Sequence, residues 1–213
     1  MEKGDTTRAK PRTRGRPVHS VQQVADMQAK IADHALSLFQ QEGYEAISMR
    51  RLAREVGCTV MTVYKYYERK IDILRDLWAR VFETLFDGLD DIAERHADPV
   101  QRLEAVALGY VSFWLEHRQH YFMVFMSSHV DQTDVSIFVA NDALLTRFQI
   151  FRRCFVEASA ETLSEDELKV KSELLLCVLN GIAQNLITIS AYPWPDAETL
   201  VRAAVRSINP TKL

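Results

Sequence analysis

Two short stretches of this 213-residue chain carry side chains suited to contacting a polyanion. Residues 11–17, PRTRGRP, contain three arginines and no acid, and residues 62–66, TVYKY, combine hydroxyl groups with a lysine. Guanidinium, ammonium and hydroxyl groups are the donors that contact phosphate oxygens and base edges in nucleic acids. Nucleic-acid binding is therefore the first chemistry to test against the rest of the sequence.

The charge of the chain is distributed unevenly along its length. Residues 1–20 contain six Lys and Arg against two acids, whereas residues 71–213 contain 13 against 21. The formal net charge of the whole chain is −3. A basic segment on an acidic protein indicates a localised polyanion-binding region, so we expect the basic end to contact nucleic acid and the acidic remainder to do something else.

Residues that could support catalysis or bind a metal do not occur in the numbers or at the spacings that such sites require. Cys58, Cys154 and Cys177 are an odd, scattered set, which indicates a reducing cytoplasm rather than a disulfide framework. His117 and His120 are only two ligands where a metal site needs three or four. No nucleophile–base pair, phosphate-binding Gly loop or dinucleotide fingerprint is visible. We therefore expect no enzyme activity, no cofactor and no metal.

The elements that must position the polar residues are helices. From residue 20 onward no run of β-branched residues alternates with period two, and only seven glycines interrupt the chain. Residues 1–19 lack apolar periodicity and are predicted to form a disordered basic arm. We predict an all-α fold, with a three-helix helix-turn-helix domain over residues 20–70 and a larger helical domain over residues 71–213.

Capping residues divide the smaller domain into three helices. The first starts after Ser20 and ends at Gly43, which is predicted to be a left-handed C-terminal cap. Ser48 caps the second helix, Gly57 ends it, and Thr59 caps the third. Two short helices joined by a tight Gly-containing turn are typical of the helix-turn-helix, whose second member enters the major groove of DNA.

The larger domain is predicted to contain six further helices. They cover about 70–95, about 98–117, 121–126, about 137–160, about 165–191 and 196 to about 208, with residues 127–136 as a loop. Residues 174–195 carry no charge, which raises the question of a membrane span. Polar residues interrupt this run, so we expect a helix buried on most sides by protein and no membrane association.

Residues 30–74, KIADHALSLFQQEGYEAISMRRLAREVGCTVMTVYKYYERKIDIL, resemble the N-terminal DNA-binding domain of the TetR/AcrR family of transcriptional repressors. The resemblance rests on A-L-x-L-F-x-x-x-G-Y, S-M-R-x-L-A-x-x-V-G and T-V-Y-x-Y-Y-x-x-K. The rest of the chain is similar to the family only in its helical layout. Val60-Met61 and Glu68 depart from the family pattern, so no operator sequence is predicted.

The resemblance implies roles for individual side chains in binding double-stranded DNA. Ser48 would hold a phosphate at a helix N-terminus, and the alternative for it is a purely structural cap. Lys65 and Lys70 would face phosphates, and the alternative for them is solvated surface charge. The other residues predicted to contact bases, sugars or phosphates are Arg50, Thr59, Thr62, Tyr64 and Tyr66.

The opening arginines resemble a minor-groove motif. Arg14-Gly15-Arg16-Pro17 is similar to the core of an AT-hook, in which Gly allows close approach and the flanking arginines enter the narrow groove of A·T-rich DNA. We predict that Arg14 and Arg16 add contacts beside the major-groove site. The alternative is a generic solubilising tail.

The family pattern also implies a homodimer and a small effector molecule. The helices at 165–191 and 196–208 are the predicted dimer interface, through Leu175, Val178, Leu179, Ile182, Leu186, Ile189, Leu200, Val201 and Val205. Aromatic and Met side chains of the larger domain suggest a mainly apolar effector, the alternative being ordinary core. The predicted effector residues are Phe113, Trp114, Phe122, Phe125, Met126, Phe148 and Phe151.

The sequence therefore favours a cytoplasmic, ligand-responsive transcriptional repressor that binds a palindromic operator as a dimer. The alternative is an architectural protein that binds A·T-rich DNA without an effector.

Overall fold

The computed structural model describes residues 21–126, 138, 142–159 and 162–209. Within these ranges the regular elements are α-helices and one short 3₁₀ turn, Tyr44–Ala46, without any strand, so the all-α prediction is confirmed. The predicted arm with Arg14 and Arg16, the Ser20 cap and the predicted loop at 127–136 lie outside the described residues.

Nine α-helices follow one another along the described chain. They are α1 (Val21–Glu42), α2 (Met49–Val56), α3 (Val60–Tyr66), α4 (Lys70–Arg95), α5 (Pro99–Glu116), α6 (Arg118–Phe125), α7 (Asp142–Ala158), α8 (Glu165–Thr188) and α9 (Ala197–Ile208).

The helix starts predicted from capping residues are confirmed. Ser48 Oγ accepts a hydrogen bond from the Arg51 backbone N–H at 3.2 Å. Thr59, Asp98 and Asp196 likewise each accept one from the N–H three residues on. Side-chain oxygens at these positions satisfy backbone donors that the first turn of a helix leaves free. Ser164 and Glu167 form the predicted reciprocal capping box at the start of α8.

The two glycines that end α1 and α2 differ in conformation. Gly57 is left-handed, with φ 75° and ψ 38°, as predicted. Gly43 has φ 82° but ψ −177°, so the prediction of a left-handed cap was wrong there. The chain turns directly into the 3₁₀ turn Tyr44–Ala46 after Gly43, which requires an extended ψ at a positive φ that only glycine adopts readily.

The core of the smaller domain consists of side chains that α1, α2 and α3 direct toward one another. Ile31, Ala35, Leu52 and Val63 are all fully buried. Tyr67, the residue that ends α3, is 3% exposed and joins the same core. Apolar side chains at helical spacing therefore fix α3 on one side and leave its other side outward.

The larger domain is organised around α5, which packs against α4, α7, α8 and α9. Trp78 on α4 donates its indole N–H to the Met123 carbonyl at 3.1 Å, which joins α4 to α6. The Tyr110 hydroxyl donates to Asn180 Oδ1 at 2.8 Å and joins α5 to α8. The buried polar groups of Trp78 and Tyr110 are therefore paired with groups on other helices.

Helix α8, which contains the uncharged residues 174–188, is covered on one face only, so the prediction that protein surrounds most of it was wrong. It is the one helix among the described residues that is long and apolar enough to cross a membrane, but only 28% of that stretch is buried. Leu175 and Leu179 face the subunit core at 0% exposure, while Val170 and Leu174 are 64% and 48% exposed.

The same burial corrects the predicted dimer interface. Leu175, Leu179, Val201 and Val205 lie in the core of their own subunit, so they are not available to a partner. Residues 174–188 of α8 carry no charge on any side, so the sequence does not indicate which side the neighbouring helices α5 and α9 cover.

The left-handed glycine gives a test of the fold. We expect Gly57→Ala to lower the free energy of unfolding by roughly 1–2 kcal/mol, because a Cβ disfavours positive φ. The matched control is Gly88→Ala in α4, where an added Cβ meets no atom within 4 Å and should stabilise the helix by up to about 1 kcal/mol. Chemical denaturation of both variants measures the difference; equal effects of the two substitutions would contradict this account.

Candidate nucleic-acid interface

The outward side of α3 carries both polar and apolar groups. Val63 faces the core at 0% exposure, whereas Met61 is 76% and Tyr64 48% exposed. Lys65 is exposed as well, and its Nζ lies 5.7 Å from the centroid of the half-buried Tyr66 ring. A two-turn helix therefore presents a thioether, a phenol and an ammonium group to solvent, and any of these can contact a groove.

Two helix N-termini carry hydroxyl groups that have capacity left over after capping. Thr59 Oγ1 accepts from the Thr62 N–H at 3.1 Å, and the two threonine hydroxyls lie 2.9 Å apart. Ser48 Oγ accepts from the Arg51 N–H. A hydroxyl has one donor and two acceptor sites, so the O–H of Ser48 remains able to donate to a phosphate oxygen.

The two arginines at the start of α2 differ in their surroundings. Arg51 makes a two-point ion pair with Glu42 at the end of α1, one bond of which is 2.8 Å. This hydrogen bond lowers the pKa of Glu42 and joins α2 to α1. Arg50 is exposed on the other side of the helix, so it is the arginine that an external partner can reach.

Lys70, the first residue of α4, lies against the smaller domain. Its Nζ is 3.8 Å from the centroid of the Tyr44 ring and 3.9 Å from a carboxylate oxygen of Glu45. Partial burial lowers the pKa of Lys70, and the nearby carboxylate opposes that shift. A phosphate would therefore meet a lysine already held in place by an aromatic ring.

A groove of about 800 Å³ lies between α1 and α3. Met61, Thr62 and Lys65 of α3, Lys30 of α1 and Cys58 in the turn before α3 all line it. The Lys30 ammonium donates to the Val56 carbonyl at 3.0 Å, so it caps the C-terminal end of α2. Burial raises the pKa of Cys58, which keeps this thiol protonated at neutral pH.

Sequence reasoning missed Lys30 and the α1 side of this groove. The only available signal was a lysine in the middle of α1, and lysines there are common on solvated faces. Its partner is 26 residues away in the chain, so no local pattern predicts the contact.

The seven predicted effector residues do not meet in one cavity. Phe148 and Phe151 line a groove of about 620 Å³ between α7 and α8, whose wall also carries Arg152, Glu165 and Lys169. The wall is therefore more charged than the sequence predicted.

The other five predicted effector residues lie elsewhere. Phe113 borders a smaller cavity near α1, and Trp114 is fully buried with its ring centroid 5.2 Å from that of Phe125. Phe122, Phe125 and Met126 are 41–48% exposed at the end of α6.

Comparison with known proteins gives consistent matches to one family. Residues 31–77 match the family model for bacterial regulatory proteins of the tetR family. Over 74 residues the chain is 34% identical to the HTH-type transcriptional repressor KstR of Mycolicibacterium smegmatis, covering 35% of this chain and 36% of that protein. It is also 34% identical over 95 residues to the HTH-type transcriptional regulator SAR2658 of Staphylococcus aureus, covering 42% and 48% of the two chains. The matched segment thus spans between about one third and one half of these relatives.

Solved structures extend the likeness of fold to nearly the whole chain. A TetR/AcrR family regulator from Thermobifida fusca superposes with a TM-score of 0.60 at 20% identity, covering 87% of this chain and 97% of that one. The fatty acid degradation regulator FadR of Bacillus halodurans gives a TM-score of 0.67 at 14% identity, covering 86% and 95%. At these identities the superpositions establish the fold.

The sequence match covers the helix-turn-helix with its exposed α3, and the structural match covers the helices that follow it. Residues 31–77 therefore match the DNA-binding domain of bacterial regulators of the tetR family, and the described chain has the fold of TetR/AcrR regulators.

Proposed function

We propose that this protein is a ligand-responsive transcriptional repressor that binds a palindromic operator as a homodimer. The observation that carries the proposal is the two-sided character of α3, which buries Val63 in the domain core and exposes Met61, Tyr64 and Lys65. Because its buried side packs on the domain core, α3 can enter the major groove with its exposed side and keep its position in the domain.

The proposed DNA contacts divide into two kinds. Ser48, Arg50, Lys65 and Lys70 contact phosphates, which sets affinity and register. Thr59, Thr62, Tyr64, Tyr66 and the thioether of Met61 contact base edges, thymine methyl groups or sugars. The arginines of the N-terminal arm are proposed to add contacts in the flanking minor groove.

The proposed dimer uses the uncovered face of α8. Val170, Leu174, Cys177, Gly181 and Thr188 share one side of this helix at spacings of three, four and seven residues. Gln184 lies on the same side, so the stripe is mostly of apolar and small residues, and an exposed stripe of this kind on a monomer favours association. A two-fold pair presents two copies of α3, which matches an operator with two-fold symmetry.

The proposed effector binds in the larger domain, at the groove bordered by Phe148 and Phe151. An effector acts only if it binds one arrangement of the two subunits better than the other. In this proposal the protein is cytoplasmic, does not span the membrane through α8 and carries out no catalysis.

Footprinting of genomic fragments separates the repressor from an architectural DNA-binding protein. We expect protection of one short segment with two-fold symmetry, since each subunit reads one half-site. Diffuse protection of A·T-rich DNA without a preferred segment would instead favour the architectural alternative.

Lys65 gives a test at the level of one side chain. We expect Lys65→Ala to weaken binding to all DNA sequences and to reduce the slope of log K against log salt by about 1, since one phosphate contact is lost. Arg95→Ala, at an exposed arginine near the end of α4, is the control and should leave the slope unchanged. Fluorescence anisotropy across a salt series measures both, and an unchanged slope for Lys65→Ala would exclude its phosphate contact.

One leucine and one valine position test the proposed dimer. We expect Leu174→Glu to raise the dimer dissociation constant by about a hundredfold or more, because an unpaired charge would be buried twice across a two-fold interface. Val156→Glu in α7 is the control, because Val156 is 49% and Leu174 48% exposed on different helices. Sedimentation velocity gives the readout; dissociation by Val156→Glu alone would move the interface to α7.

A further inference from the structure

A small cavity of about 160 Å³ lies where α1, α4 and the junction of α5 with α6 meet. Leu36, Val81 and Phe113 form the apolar part of its wall. Arg80 and His120 are among its polar members. A mainly apolar cavity with a few converging polar groups is typical of a small-molecule site. It is separate from the α3 surface and from the groove between α7 and α8.

One polar residue of the cavity wall, His120, has hydrogen-bonding capacity that the protein does not use. His120 Nδ1 is buried and has no hydrogen-bond partner within the described part of the chain. Burial, together with the neighbouring His117 ring 5.4 Å away, lowers the pKa of His120 and keeps the ring neutral at pH 7. A neutral imidazole can offer an N–H at Nδ1, and a buried polar group of this kind calls for a partner.

Arg80 is the cation at the mouth of the cavity. Its guanidinium lies 3.4 Å from Asp33 on α1 and 3.3 Å from Asp76 on its own helix. The Asp33 side chain is 73% exposed, so solvent weakens this pair and an incoming anion can replace it. A metal ion fits less well, because no group of three ligating side chains occurs among the described residues.

We propose that this cavity binds a small monocarboxylate that carries a single ring or a short apolar chain. The carboxylate lies between Arg80 and His120, and the apolar part fills the space against Leu36, Val81 and Phe113. The size agrees, since a protein cavity of roughly 150 Å³ accommodates one benzene ring. Arginine suits the charged end because its planar donors match a carboxylate at two points.

Occupancy of the cavity has a route to the DNA-binding helix. Asp76, which pairs with Arg80, also accepts a hydrogen bond from the hydroxyl of Tyr67, the residue that ends α3. A ligand that takes Arg80 from Asp33 removes an ion pair between α1 and α4 and changes the partner of Asp76 at the same time. The bound and free forms therefore differ in contacts that hold α3 in place, which is the condition for coupling two sites.

Benzoate is the probe that tests the site on the full-length protein. By isothermal titration calorimetry we expect saturable binding of one benzoate per chain, with benzamide, the neutral analogue, binding about tenfold more weakly. We expect Arg80→Met and His120→Phe each to weaken benzoate binding by about tenfold or more, since the first removes the cation with its hydrogen bonds and the second removes one hydrogen-bond donor to the carboxylate. Two variants are used because Arg80 also pairs with Asp76, and thermal unfolding confirms that each variant folds.

Two control variants locate the site. Lys169→Met in the α7–α8 groove and Arg95→Met at an exposed position of α4 should bind benzoate as the wild type does. Absence of saturable binding, equal binding by the wild type and both cavity variants, or loss of binding in Lys169→Met would overturn the site. Benzamide binding as tightly as benzoate would overturn its preference for an anion.

The coupling has its own measurement. We expect saturating benzoate to change the affinity of the wild type for its DNA target and to leave that of His120→Phe unchanged. Unchanged affinity of the wild type, with benzoate bound, would overturn the coupling but not the site. The titration requires no DNA, so it also distinguishes failure of this inference from failure of the proposed function.

Discussion

The structure depends on α4 being one uninterrupted helix that both domains share. It runs for 26 residues and buries side chains from Ile71 near its start to Ala93 near its end. Its first turns pack against α1 and hold Tyr67 through Asp76, and its later turns form the core of the larger domain with α5. A helix of this length is about 39 Å long, so it connects the core of the smaller domain to that of the larger one without a break.

Two side chains in the middle of α4 connect this helix to α6 and to α1. Trp78 joins α4 to α6 by a buried hydrogen bond, and Arg80, two residues further on, joins it to α1. Burial raises the pKa of Tyr67 and the Asp76 carboxylate adds to that effect, so this hydroxyl remains a donor at every physiological pH. The Tyr67 hydroxyl at the connection between α3 and α4 therefore stays uncharged, and what can change is the set of partners around it.

Two helices present apolar groups to solvent for different reasons. On α3 the exposed Met61 stands beside Lys65 and Tyr64, which suits a wet and charged partner surface. On α8 the exposed Val170 and Leu174 lie on the same side as the small residues Cys177 and Gly181. A surface of this kind suits packing against another helix. Burying apolar area is worth about 25 cal/mol per Å², so each exposed patch is a cost that a partner can remove.

The sequence by itself determined the features that depend on residues close together in the chain. The caps at Ser48, Thr59 and Asp98 are bonds to the third residue on, and the left-handed Gly57 is a property of one residue. The resemblance to TetR/AcrR regulators could also be recognised from the sequence, because the motifs that carry it all lie within residues 35–70. Gly43 was the exception, since the 3₁₀ turn after it decided its conformation.

Only the tertiary structure decided which faces and which distant residues meet. The apolar run of α8 has two similar sides, and packing against α5 and α9 chose the one that carries Leu175 and Leu179. Likewise Phe113 and Phe148, which look alike in sequence, border different cavities. Arg80 and His120 share a cavity although 40 residues separate them. Such contacts follow from how rigid helices fill space together, and no local pattern of residue types contains that information.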